Sequence, residues 1–154
     1  MSIFYKSKKI IAVQIAIIFF IILDRFLKVL ALEGAARPCH LIGEILRYNF
    51  KANYYIAFSL PLAGRPLMVL LAIIIFGLMA LAVFYWFKRE PDKLAPLSLI
   101  ILGASSNLFD RLRYGFVVDY LDLKYFTVFN LADAMIVAGV ISLIIVFNNT
   151  NYKF

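Results

Sequence analysis

GASSNLFDRLRYGFVVDYLDLKYFTVFNLAD, residues 103–133, sets Asn107, Asp110, Arg111, Asp119, Asp122, Asn130 and Asp133 between two runs apolar enough for lipid. Four of the nine acidic residues of the chain fall in this stretch. Charge in a membrane-embedded region is expensive, so it needs partners or a function. The rest of the chain reads as a means of holding this segment in place.

The composition agrees. The 154 residues are 64% hydrophobic, with mean hydropathy +0.91, whereas a soluble domain is about 45–50% apolar. An integral membrane protein of one domain, residues 1–154, is expected. The net charge of +7 comes from Lys and Arg scattered around apolar runs. That is the pattern of membrane-flanking cations rather than of a phosphate-binding face, so no nucleic-acid partner is expected. Cys39 is the only thiol and His40 the only imidazole. An internal disulfide and a His-based metal centre are thereby excluded.

Outward from the central stretch, the apolar runs predict four spans, at about residues 10–32, 67–87, 94–109 and 131–147. The first follows Lys6, Lys8 and Lys9 in the manner of a signal peptide. Asp24, Arg25 and Lys28 interrupt it, and apolar character then resumes to Leu32. Residues 10–32 rise roughly 34 Å as a helix, enough to cross a hydrocarbon core of roughly 30 Å, so the segment reads as a retained span. Residues 33–66 and 110–130 form the two longer polar intervals. Within the first, LRYNFKANYYIAFS (46–59) is rich in Tyr, Phe and Asn, as strands or an interfacial element would be. The fold class expected is therefore an all-α membrane protein of four transmembrane helices, with a small β-containing or interfacial extracytoplasmic element after the first. The termini and the KREPDK turn (88–93) carry seven Lys or Arg, and so do the two polar intervals. The first set is crowded against span ends, which places both termini in the cytoplasm. Asp24, Asp110 and Asp133, on three different spans, then fall in the outer third of the bilayer.

Asp24 and Lys28 stand at i, i+4 with the acid first, the better order for an intrahelical pair. They read as mutual neutralisation, as contact with a substrate, or as both. Asn107, Asp110 and Arg111 share a helix face, and an Asp110–Arg111 pair tying the span to the next loop is the simpler reading. If FVVDYLDLKY (116–125) is extended, Asp119 shares a face with Val117, Leu121 and Leu123, and Asp122 shares one with Tyr120 and Lys124. Asp119 would point inward and Asp122 toward water or Lys124, which makes Asp119 the better catalytic candidate. Asp133 has no cation within a helical turn. Asn130, three residues earlier, is placed to hydrogen-bond it or a substrate carbonyl. Two carboxylates sharing a site hold one proton between them. The ionised one can activate water while the protonated one donates to a carbonyl or leaving group. Such hydrolysis requires no metal or cofactor, and with one imidazole and one adjacent thiol a Cys–His nucleophile is the weaker alternative.

At these residues the chain resembles the bacterial lipoprotein signal peptidases, signal peptidase II. DRFLK (24–28) matches D-x-x-x-K, NYYIAFS (53–59) matches N-x-G-x-x-F-S, and NLFDR (107–111) matches G-N-x-x-D-R. VVDY (117–120) matches V-[VI]-D-[FY] and FNLAD (129–133) matches F-N-x-A-D. The resemblance implies an aspartyl endopeptidase of the bacterial inner membrane, with its site near the outer face. It would remove signal peptides from diacylglyceryl-modified prolipoproteins, before the lipidated cysteine. The family's catalytic pair falls on Asp119 and Asp133. Its supporting residues fall on Asp24, Lys28, Asn53, Gly103, Asn107, Asp110, Arg111 and Asn130. The resemblance also implies cyclic peptide inhibitors of the globomycin type, contact with membrane lipid, and a monomer. Two motif glycines are replaced, by Tyr55 and by Ser106, and Asn49 competes with Asn53 for the substrate-contacting position. A small proton-coupled transporter, or a non-enzymatic membrane partner whose acids pair with Arg111, Arg113 and Lys124, are the rival readings.

Overall fold

The computed structural model describes residues 2–34, 38–55 and 64–151. Helix α1 (Ser2–Leu32) leads into strands β1 (Cys39–Ile42) and β2 (Leu46–Asn53), followed by α2 (Gly64–Phe87). A short 3-10 turn, Pro91–Lys93, precedes α3 (Leu94–Tyr114), then come β3 (Val117–Leu123), β4 (Val128–Phe129) and α4 (Leu131–Asn151). The molecule is mostly helical with one small antiparallel sheet, in the order β1-β2-β3-β4. The β element is thus larger than a device following the first helix: the segment before α4 supplies half its strands. The Ala57, Phe58 and Ser59 part of the NYYIAFS motif lies outside the described residues.

Helices α2 and α4 contain stretches long and apolar enough to cross a membrane, Gly64–Phe87 and Leu131–Asn149. Helices α1 and α3 break their apolar runs with the ions considered below. Helix α3 continues to Tyr114, where Gly115 takes a left-handed conformation (φ 83°) and returns its N–H to the Arg111 carbonyl at 3.0 Å. The extra turn carries Asp110 and Arg111 on helix rather than loop.

Two packings position the site. Helices α3 and α4 approach closely through small residues: a Cβ on Gly103 would lie 2.6 Å from the Ala132 carbonyl oxygen, and one on Gly139 would lie 2.8 Å from that of Pro96. The sheet meets α1 through a core of Ala31, Tyr48, Val118 and Tyr120, and the Tyr48 hydroxyl donates to the Leu27 carbonyl at 2.6 Å. Val117, Val118, Asp119 and Tyr120 are all buried, so β3 is covered on both faces. Alternation therefore did not separate an inner face from a wet one, and Tyr120, expected beside Asp122 on the outer face, is fully buried.

A bulge in β2 fixes the register. Tyr48 pairs with Leu121, yet Lys51 pairs with Asp119 and Asn53 with Val117, a slip of one residue. Because strand side chains alternate, such a slip changes which residues of β2 share a face with a given residue of β3. Beyond the bulge, Asn53 lies on the face of Asp119. Before it, Asn49 lies on the face of Asp122.

Candidate active site

The first turn of α4 organises the site. A helix N-terminus leaves N–H groups without intrahelical partners, and here three different elements supply them. Leu131 N donates to the Tyr120 hydroxyl of β3 at 3.1 Å. Ala132 N donates to Asp24 Oδ1 of α1 at 3.1 Å. Asp133 N donates to Asn130 Oδ1 at 2.9 Å, and Asn130 N donates back to Asp133 Oδ2 at 3.2 Å. The last exchange is a reciprocal cap, with Asn at the cap and an acid three residues on.

Asn130 does more than cap. Its side-chain Nδ2 donates to Asp119 Oδ1 at 2.7 Å, so one fully buried residue holds both carboxylates, Asp133 through its backbone and Asp119 through its side chain. The outer oxygens are also engaged: Asn53 Nδ2 donates to Asp119 Oδ2 at 3.0 Å, and Asn107 Nδ2 donates to Asp133 Oδ1 at 2.7 Å. Burial pushes the Asp119 carboxyl up to about 7, the negative charge of Asp133 adds to this, and the bonds from Asn53 and Asn130 and the charge of Lys28 oppose it.

Behind the pair lies a buried ion cluster. Lys28, fully buried, sits 2.7 Å from Asp110 Oδ2 and 3.3 Å from Asp24 Oδ2, and donates to Asn107 Oδ1 at 2.8 Å. A buried ammonium is tolerated only when its N–H groups are all matched, and these three oxygens and Ser106 Oγ, at 3.3 Å, share them. Asp110 takes a second cation, Arg25, at 2.5 Å, and accepts the Val118 N–H at 3.3 Å. Arg25 also stacks over Phe109, 4.7 Å from its ring centre. Asp110 thus ties α3 to α1 and β3. The Asp110–Arg111 pair expected from spacing is replaced by these bonds, because α1 brings two cations to the buried acid.

Arg111 turns the other way, donating through Nη2 to the Tyr55 carbonyl at 2.8 Å and through Nη1 to the Asn107 carbonyl at 3.5 Å. Its Nε is buried and has no hydrogen-bond partner among the described residues. The guanidinium lies within electrostatic reach of Asp133, Asp119 and Asp110. Asp122 pairs with Arg47 at 3.5 Å and accepts from Asn49 Nδ2 at 3.2 Å, rather than with Lys124. Cross-strand neighbours on β2 reach it first.

The structure therefore brings Asp24, Lys28, Asn53, Asn107, Asp110, Asp119, Asn130 and Asp133 into one hydrogen-bonded network, with Arg111 at its edge and Gly103 against the Ala132 carbonyl. Three members were not singled out from sequence: Arg25, Ser106 and Tyr120. Arg25 stands next to Asp24 in DRFLK, and a cation there was the available signal. Tyr120 closes the VVDY motif and Ser106 stands in place of a motif glycine, but neither position tells which face is covered, and a hydroxyl's role depends on that. Four carboxylates (Asp24, Asp110, Asp119, Asp133) face three cations (Arg25, Lys28, Arg111), an excess of one negative charge that a single proton neutralises. Among the described residues, no group of three or more His, Cys, Asp or Glu is placed to hold a metal ion.

Comparison with known proteins identifies the family and the fold. Residues 16–148 match the family model described as signal peptidase (SPase) II. A lipoprotein signal peptidase of Halothermothrix orenii is 33% identical over 137 residues, covering 86% of this chain and 92% of the relative. One from Syntrophomonas wolfei is 39% identical over 128 residues, covering 81% and 85%. A solved bacterial membrane enzyme superposes with TM-score 0.78 at 24% identity, over 92% of this chain and 90% of that one, which speaks for the fold. A second does so with TM-score 0.72 at 26% identity, over 88% and 92%. With most of its length matched by the family model and by these relatives, the chain belongs to the signal peptidase II family.

Proposed function

We propose that this chain is an aspartyl endopeptidase that cleaves diacylglyceryl-modified prolipoproteins before the lipidated cysteine, with Asp119 and Asp133 as its catalytic pair. The observation that carries the reading is the double hold of Asn130, which keeps two carboxylates of different elements at one place. The pair shares one proton. Its ionised member takes a proton from water as the oxygen attacks the scissile carbonyl, and its protonated member donates to the carbonyl oxygen. Collapse of the tetrahedral diol then expels the amine, which takes the proton gained from water, while a diol hydroxyl returns a proton to the other member and restores the one-proton pair. Asn53 and Asn107 fix the outer oxygens, so each carboxyl presents one arrangement to water. Asp24, Lys28 and Asp110 hold the backbone around them, and Gly103 admits the first turn of α4. Arg111 holds the chain at Tyr55, beside the place where a substrate peptide would enter.

All four helices cross the bacterial cytoplasmic membrane in this reading, with both termini in the cytoplasm and the sheet at the outer face. Large apolar side chains exposed on every helix support it, among them Phe19 and Phe26 on α1, Phe76 on α2, Leu112 on α3 and Ile141 on α4. A diacylglyceryl anchor lies at that outer depth, and apolar grooves between helices suit its acyl chains. Every residue of the site comes from one chain, so a monomer suffices, and cyclic peptides of the globomycin type are expected to compete with substrate. The test is incubation of purified protein with a diacylglyceryl prolipoprotein, read as a size shift. Asp119→Asn and Asp133→Asn should each abolish the shift while folding is retained, and full activity in either would remove the pair from the mechanism.

A further inference from the structure

A buried hydroxyl with no part in the proposed chemistry stands where α1 crosses α3. Ser106 is only 4% exposed. Its Oγ donates to Asp24 Oδ2 at 2.7 Å, and accepts from Lys28 Nζ at 3.3 Å and Arg25 Nη1 at 3.2 Å. One donor and two acceptor sites are all that a hydroxyl has, so each is spent on a different ion. We infer that Ser106 is a positioning residue for the proposed peptidase reaction, orienting Asp24 and Lys28 so that the first turn of α4 presents Asp133 correctly.

Two routes lead from the hydroxyl to the catalytic pair. In the first, Asp24 has its Oδ2 occupied by Ser106, which leaves Oδ1 for the Tyr120 hydroxyl at 3.0 Å and the Ala132 N–H at 3.1 Å. Ala132 is the backbone neighbour of Asp133. In the second, Ser106 helps to hold the Lys28 ammonium, which donates to Asn107 Oδ1 while Asn107 Nδ2 donates to Asp133 Oδ1. Without the hydroxyl, Asp24 Oδ2 keeps only Lys28, at 3.3 Å. The carboxylate is then free to turn toward Arg25 and Lys28 and to release the α4 terminus. The hydroxyl also stands between one carboxylate and two cations, a place that a methyl group cannot fill without leaving a charged oxygen short of a donor.

This inference rests on the catalytic reading of Asp119 and Asp133, and two substitutions test it separately from that reading. Ser106→Ala removes the hydroxyl but keeps Cβ, so the vacated space is smaller than a water. Ser106→Gly removes both atoms, and the larger space is lined by Asp24, Lys28 and Arg25, enough polar partners to hold a water in the hydroxyl's stead. Activity should therefore rank Gly above Ala, whereas helix stability ranks Ala above Gly in a helix interior. Steady-state cleavage and thermal unfolding of the full chain are measured for both variants, beside Asp119→Asn and Asp133→Asn. The expected result is a kcat about tenfold lower for S106A, with KM within about twofold and Tm no lower than that of S106G. S106G should lose about threefold or less in kcat. A kcat for S106A equal to wild type, a loss carried by KM, or a kcat for S106G below that of S106A would each overturn the inference. Inactive Asn variants beside a fully active S106A would leave the proposed pair standing and sink only the role of Ser106.

Discussion

The carboxylate of Asp24, in the first helix, accepts the backbone N–H of Ala132, in the first turn of the last helix, at 3.1 Å across 108 positions of sequence. The first helix therefore supplies part of the N-terminal cap of the fourth. An acid in the middle of an apolar run is in this way both the counter-ion of Lys28 and an anchor for Asp133's turn.

Removing that anchor should cost stability and activity together. Asp24→Ala strands Ala132 N–H and leaves Lys28 and Arg25 with Asp110 as their nearest acid. Breaking a buried pair in this manner costs about 3–5 kcal/mol. Asp24→Asn keeps an oxygen for Ala132, so its thermal unfolding in detergent should fall between Asp24→Ala and wild type. Equal losses in the two variants would show that charge alone matters and that the cap does not.

Gly103→Ala should destabilise by about 1–3 kcal/mol, the usual range for overpacking. The added Cβ would stand 2.6 Å from the Ala132 carbonyl oxygen and 2.9 Å from Ile136 Cγ1, and backbone cannot yield as a side-chain tip does. The displacement falls on the turn that carries Asp133, so cleavage should drop with it. Gly77→Ala is the control, since none of the described residues lies within 4 Å of its Cβ position. That variant should unfold at or slightly above the wild-type temperature, as alanine favours a helix.

The raised carboxyl of Asp119 makes stability depend on pH. Its folded value of about 7 lies above the ordinary 3.8, so the folded state binds the proton more tightly than the unfolded chain. Stability from this group is fully present below about pH 4 and is lost as pH rises through 7. Asp119→Asn removes the dependence. The variant should therefore be inactive yet more stable than wild type at pH 8, by on the order of 2–4 kcal/mol, with the difference closing by pH 4. Parallel stability curves from pH 4 to 8 would contradict the burial of a shared proton.

The sequence carried the helices and the carboxylates, because apolar runs and isolated charges are local signals. Counting residues from the expected span ends brings Asp24, Asp110 and Asp133 toward one another, and Lys28 does bind the first two. Partner choice was not legible. Asp110 looks to Arg111 in sequence and to Arg25 and Lys28 in space, since α1 crosses α3 there. The same holds for Tyr120, whose alternation with Asp119 suggested an outer face. Alternation reports a wet side only when a strand has one, and α1 covers that face of β3. Nor did spacing foretell the sheet's extent, because β4 has only two residues, Val128 and Phe129, and shows no period at all.

The choice between Asn49 and Asn53 turned on the bulge between Tyr48 and Lys51, which a motif count does not reveal. With the slip, Asn53 Nδ2 reaches Asp119 at 3.0 Å while Asn49 reaches Asp122 at 3.2 Å. If Asp119 acts as proposed, Asn53→Ala should lower kcat by about tenfold to a hundredfold, the loss of a hydrogen bond to one carboxyl of the proposed pair. The bond from Asn53 holds the Asp119 value down, so its removal should also move the alkaline limb of the activity profile, where the shared proton is lost, to higher pH. Asn49→Ala frees an acid that still has Arg47 beside it, and its kcat and pH profile should stay close to wild type. Measured profiles in which Asn49→Ala shifts the alkaline limb and Asn53→Ala does not would place the register between β2 and β3 one residue away.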